Sequence, residues 1–153
     1  MFEQMPSKNA LRRHEVAPFV NENQVPTDAQ FMVLSKYISD ISDATDETME
    51  AVAFYDGDGT PEHIVQNVAV AYDVEGFYLP SDPAQKFIAD MKLKRGAGRF
   101  CWHRVTSADG TTTWVGPATV SAIVAGSGAA GDDETFSCTI TYNKIPHEAL
   151  AGV

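Results

Sequence analysis

Residues Thr135 to Tyr142 read Thr-Phe-Ser-Cys-Thr-Ile-Thr-Tyr, polar and apolar in unbroken alternation. A period of two suits a strand with one face in a core and the other in a polar setting, because successive side chains point to opposite sides. A helix would spread the same apolar residues around its whole circumference. Sheets with one buried and one solvated face are antiparallel, so this segment predicts an antiparallel β protein.

Other segments agree. Ala118 to Val124 alternates more weakly, with Thr119 and Ser121 set against Val120 and Ala122. Arg99 to Val105 and Thr112 to Val115 flank Asp109-Gly110, a strong hairpin-turn pair. Trp102 and Trp114 lie on either side of that turn, placed to meet across the hairpin. Gln66 to Tyr78 and Phe31 to Ile41 are further strand candidates. Ala125 to Asp133, rich in Gly and Ala, predicts a mobile loop. Residues 1–13 read as a flexible arm, 14–145 as one β domain and 146–153 as a short tail. No internal repeat is present.

One segment breaks the pattern. Asp82 suits an N-cap, Pro83 the first helical position, and Gln85 completes a capping-box-like spacing. Ala84, Phe87, Ile88 and Met91 follow the stripe of an amphipathic helix. Lys92, Lys94 and Arg95 suit its C-terminal turn and Gly96 its end. The spacing predicts one helix over 83–95.

With 153 residues the chain suits a single domain. Its 21 acids against 11 bases give a net charge of −10, which argues against tight, sequence-independent binding of nucleic acid. Between Lys36 and Lys86 every charged residue is acidic; Lys86, Lys92, Lys94, Arg95, Arg99 and Arg104 then follow, opposed only by Asp90. Segregation of this kind suits self-association through unlike faces. No run of apolar residues is long enough for a membrane-spanning helix, so no membrane insertion by this chain is expected. The N-terminus lacks a signal-peptide layout, and synthesis in the cytoplasm is expected. Cys101 and Cys138 are too few for a disulfide scaffold and read as buried thiols.

Candidate chemistry is sparse. Asp56-Gly57-Asp58-Gly59-Thr60 resembles the D-x-D-G-T nucleophile motif of haloacid-dehalogenase phosphatases. That chemistry needs a parallel strand followed by helices, whereas Pro61 and a strand follow here. As an EF-hand loop the segment has Pro61 and Asn67 where Gly and Glu belong. A plain Asp/Gly turn is the simpler reading, and phosphatase the distant one. His14, His63, His103 and His147 are scattered, and His103 reads as a strand residue facing solvent or a neighbour. No catalytic residue, metal site or cofactor is expected.

Order and spacing across the chain carry a resemblance. Gly76-Phe77-Tyr78, Asp82 to Ile88, Gly96-Ala97-Gly98-Arg99, Asp109-Gly110, Trp114 to Ala118, the loop Gly126 to Asp133 and the strand Thr135 to Tyr142 resemble, in that order, the major tail (tail tube) proteins of long, non-contractile-tailed bacteriophages. Asn9 to His14 and Tyr55 to Gly59 add to it less specifically. The resemblance implies two packed antiparallel sheets, a β-sandwich or half-barrel, with one outer helix. It also implies a structural, non-enzymatic virion protein: hexameric rings stacked into a hollow tube through which viral DNA passes without tight binding.

Implied partners are further copies of the chain, a tape measure protein, a tail terminator and a distal tail protein. The implied location is the virion tail, after assembly in the host cytoplasm. A terminator or distal tail subunit of the same fold is the alternative. Lumen-facing candidates are Asp73, Glu75, Thr119, Ser121, Thr139 and Thr141. In resembling proteins a loop at Tyr55 to His63 reaches the adjacent ring, which makes Tyr55, Asp56, Asp58 and Glu62, and the basic Lys92, Lys94, Arg95 and Arg99, inter-ring candidates.

Overall fold

The alternating segment is a strand, and it lies near the middle of the main sheet. The structure, a computed structural model, describes residues 5–150. Within them the strands are β1 (Arg13–Pro18), β2 (Met32–Val33), β3 (Ile38–Asp43), β4 (Asp46–Val52), β5 (Glu62–Ala69), β6 (Ala71–Phe77), β7 (Phe100–Thr106), β8 (Thr112–Ala125), β9 (Thr135–Tyr142) and β10 (His147–Leu150), with helix α1 at Pro83–Ala89 between β6 and β7. The main sheet runs β2-β1-β7-β8-β9-β6-β3, antiparallel throughout, and curls into a half-barrel. β10 adds to the first part of β8. β4 and β5 form a separate two-stranded hairpin.

One face of the main sheet holds the core. Val16, Val74, Cys101, Ala118, Val120, Phe136, Cys138 and Ile140 are buried there, closed over by Ala84, Ile88 and Met91 of the helical segment. Both cysteines are buried and unpaired, and burial pushes each thiol up to about 12. Gln85, fully buried, ties the helix down: its Oε1 accepts from the Leu79 N–H at 2.7 Å, and its Nε2 donates to the carbonyls of Lys36 and Phe77 at 3.0 and 3.1 Å. The capping box expected of Gln85 is therefore half made. Its backbone N–H bonds Asp82 Oδ2 at 3.2 Å, while its side chain is used elsewhere.

The helix is shorter than the stripe predicts. It stops at Ala89, not 95, because Met91, Lys92 and Lys94 donate to carbonyls three residues back, in tighter turns. Met91 stays buried, so the apolar stripe outlasts the helix.

Two predicted strands are each two. Gln66 to Tyr78 splits at Val70, β5 belonging to the hairpin and β6 to the main sheet. Phe31 to Ile41 splits before Ile38: Tyr37 adopts φ +59°, and β2 and β3 become opposite edges of the sheet. Conversely, Thr112 to Val115 and Ala118 to Val124 are one bent strand, β8, with Ala122 at φ +52° and a register shift between Ser121 and Val124. The turn at Asp109-Gly110 is as expected, with Gly110 at φ +76°. The tryptophans do not meet. Trp114 is level with Val105 and Trp102 with Pro117, three residues apart along β7, so the rings occupy opposite faces.

Candidate assembly surfaces

The second face of the main sheet divides in two. Over β1 and β7 it is covered by the segment between β1 and β2. Phe31 packs with Ala17, Trp102 and Val115, with Phe19 against them. Arg104 fastens the cover: it donates to both carboxylate oxygens of buried Glu15 at 3.1 and 2.9 Å and to Asp28 at 2.6 Å, and its guanidinium lies 4.0 Å above the Phe31 ring.

Over β3, β6, β9 and the middle of β8 the same face is open and polar. The register sets Asp73 beside Thr139, Thr139 beside Ser121, and Thr141 beside Thr119, with Glu75 beside Ser137. Directly paired residues share a face, so all six lumen candidates lie on one surface. Asp73, Glu75 and Ser121 are exposed; Thr119, Thr139 and Thr141 are half-buried. Thr139 donates to Asp73 at 2.7 Å, and Thr119 to Asn143 at 2.6 Å.

Sequence reasoning missed three members of this surface. Asp40 stands beside Glu75 and Ser42 beside Asp73, while Ser137 completes the β9 row. A bulge between Ile38 and Asp40 shifts the strand's period, which hid its polar side. None of β3, β6, β8 and β9 carries a Lys or Arg.

The inter-ring candidates fall in two places. Tyr55, Asp56 and Asp58 sit in the connection between β4 and β5, with Tyr55 fully exposed. Asp58 Oδ1 accepts from the Thr60 N–H at 2.9 Å, an Asx turn that lowers the Asp58 pKa through its bonds to Thr60. This is a hairpin tip joining antiparallel strands, not the end of a parallel strand that a phosphatase nucleophile requires.

Glu62 and His63 belong to β5 instead of the expected loop, paired with Val52 and Ala51. Both arms of the hairpin are exposed except for Val52, and among the described residues they pair only with each other. Seven or eight residues at about 3.4 Å each carry its tip roughly 25 Å from its base.

Lys92, Lys94 and Arg95 are exposed in the turns after α1. Arg99 is differently placed. Its guanidinium donates to the carbonyls of Lys92, Lys94 and Val120 at 2.6, 2.7 and 3.3 Å, so it braces those turns. Among the described residues no ion pair joins this basic segment to the hairpin acids.

No family model and no curated protein sequence matches the chain. Solved structures do. The tail of an empty gene transfer agent particle, refined helically with C6 symmetry, superposes with a TM-score of 0.65 at 10% identity, over 96% of this chain and all of that one. The virion of a native gene transfer agent particle gives 0.62 at 11% identity, over 89% of this chain and 95% of that one. The tube-terminating cap of the anti-feeding prophage gives 0.55 at 16% identity, over 99% and 95%.

The chain has a tail-tube fold. At this low identity the likeness is one of backbone fold, and most side chains differ.

Proposed function

We propose that this protein is the major subunit of a tail tube: six copies close into a ring, and rings stack into a hollow conduit for DNA ejection. The observation that carries the reading is the open polar face, which spans four strands without a basic residue and bears Asp40, Asp73 and Glu75. Turned toward a channel, that face repels phosphates and leaves DNA free to slide. The two edges left unpaired among the described residues, β2 and β3, support ring closure, since pairing between copies satisfies N–H and C=O groups that an isolated sheet leaves open. The C6 symmetry of the gene transfer agent tail supports the number six.

Stacking is assigned to the β4–β5 hairpin. Its tip, with Tyr55, Asp56, Asp58 and the adjoining Glu62, reaches the Lys92, Lys94 and Arg95 turn of the next ring, while Arg99 keeps that turn in shape. Individual exposed pairs contribute about 0–1 kcal/mol, but a ring repeats each contact. In this reading the tube encloses a tape measure protein, ends on a terminator and starts on a distal tail protein, and it is part of a virion tail assembled in the host cytoplasm.

The likeness to a tube-terminating cap favours one second reading, a terminator that forms a single ring. Negative-stain microscopy of the purified protein, alone and with tail-tip components, separates the two. Stacked tubes support the major subunit, solitary rings the terminator, and monomers under every condition overturn both.

A further inference from the structure

A groove of about 310 Å³ opens where the end of β1 meets the turns after α1. Its walls are the half-buried rings of Phe19, Phe87 and Phe100, with buried Met91 beside them. Phe19 and Phe100 meet edge to face with ring centroids 5.4 Å apart, so packed rings set its shape.

Two charged side chains, Asp90 and Lys94, also line the groove. Asp90 is matched by Lys86 at 3.6 Å. Lys94 and its neighbours Lys92 and Arg95 are exposed and in no ion pair among the described residues. Arg99 fixes their turn by donating to the Lys92 and Lys94 carbonyls. One rim of the groove is therefore a held, unmatched cluster of cations, on a chain whose net charge is −10.

Aromatic walls beside a carboxylate and an ammonium suit an amphipathic ring better than an aliphatic side chain. A tyrosine answers both: its ring packs on the phenylalanines, and its hydroxyl can donate to Asp90 or accept from Lys94. The unmatched cations ask for acids beside that ring. Among the described residues the exposed tyrosines are Tyr37 and Tyr55. Tyr37 follows Lys36, a charge that the rim repels. Tyr55 is fully exposed at the hairpin tip and is followed by Asp56 and Asp58.

We propose that this groove is a receptor for the Tyr55 ring of a second copy of the chain, with Asp56 and Asp58 set against Lys92, Lys94 and Arg95. The receptor rests on the stacking reading, which brings the tip to this turn but gives its aromatic no seat. A buried aromatic anchor inside a charged rim is how a small contact gathers most of its binding energy.

The test mixes two singly substituted chains, Tyr55→Cys and Ala97→Cys at the groove wall, under mild oxidation, with Asp46→Cys at the hairpin base as the control. Tyr55 and Ala97 are exposed and both native cysteines are buried, so the new thiols react in a folded subunit. A mixed dimer from Tyr55→Cys at least about tenfold above that from Asp46→Cys upholds the receptor. In parallel, Tyr55→Phe is expected to assemble nearly as the wild type does. Tyr55→Ser and Lys94→Glu are each expected to raise the concentration needed for assembly about tenfold.

A Tyr55 link no stronger than the Asp46 link overturns the receptor, and tubes from wild-type chains then leave the stacking reading standing. Preferential linkage of Ala97→Cys to Leu93→Cys or Tyr37→Cys of another copy overturns it too, as does undiminished assembly of Tyr55→Ser. Wild-type chains that form neither rings nor tubes overturn the tube reading, and the ratio of mixed dimers still decides the receptor.

Discussion

Arg104 grips Glu15 across neighbouring strands β7 and β1, with two N–H···O bonds of 3.1 and 2.9 Å, and Glu15 is 2% exposed. The pair holds the cover of the second face in place through Asp28 and Phe31. Removing Arg104 leaves buried Glu15 with only the partly exposed Arg13, whose Nε lies 3.4 Å from Glu15 Oε1, and breaking such a buried pair costs at most about 3–5 kcal/mol. Arg104→Ala is expected to lose up to that much in urea unfolding, and Arg104→Met with Glu15→Leu much less. Equal losses in the single and double variants would show that the pair is not what stabilises the cover.

Gly76 faces Ile38 across the β6–β3 pair, and a methyl group there would collide with the Tyr37 carbonyl and the Ile38 Cα. The Phe77 N–H also donates to that carbonyl at 2.8 Å, so the backbone has little room to withdraw. Gly76→Ala is expected to destabilise by roughly 1–3 kcal/mol and to loosen β3. Hydrogen exchange on β3 amides checks it: faster exchange confined to β3 and its partner is the expected result.

Stability should fall with acid before the carboxylates titrate. Burial lowers His14 from 6.5 to about 4 and His103 from 6.5 to about 3. Below pH 6.5 the unfolded chain binds protons that the folded chain refuses, so unfolding becomes easier as pH drops. The contribution is complete above about pH 6.5 and drains away as pH approaches 4 and then 3. Urea midpoints from pH 8 to pH 4.5 should decline, and His14→Gln should flatten the decline. A flat wild-type profile would mean that the two rings are open to water.

The open face makes an electrostatic prediction. Wild-type assemblies are expected not to retain duplex DNA on a filter at moderate salt. Asp40→Lys, Asp73→Lys and Glu75→Lys together should retain it, with affinity falling steeply as salt rises. Unchanged behaviour in the triple variant would place this face away from the channel.

Hairpin and body should separate in function. Joining Glu47 to Val68 through an Asn-Gly turn removes most of β4 and β5, which among the described residues pair only with each other. Thermal unfolding of the body is expected to change by less than about 1 kcal/mol, while tubes fail to grow. Tubes of normal length would remove the hairpin from stacking.

The residues from 135 to 142 and from 82 to 91 determined their local structure unaided, because period, cap and turn chemistry act over a few neighbours. The strand face at Thr119, Ser121, Thr139 and Thr141, the Gly110 turn, the start of α1 and the burial of both cysteines follow from the sequence for that reason. What joins distant segments was decided only by the fold. Val70 divides one long strand candidate because its two halves pair with different strands, β5 with β4 and β6 with β3 and β9, and Tyr37 breaks another where β2 and β3 part for opposite edges. Asp40 joins Glu75 through a bulged pairing that no local pattern announces. Arg99, one more cation in a basic run, spends its donors on three carbonyls, and Arg12 and His14 meet β3 across a cavity; these outcomes depend on packing between residues far apart in the chain, where hydrophobic period carries no information.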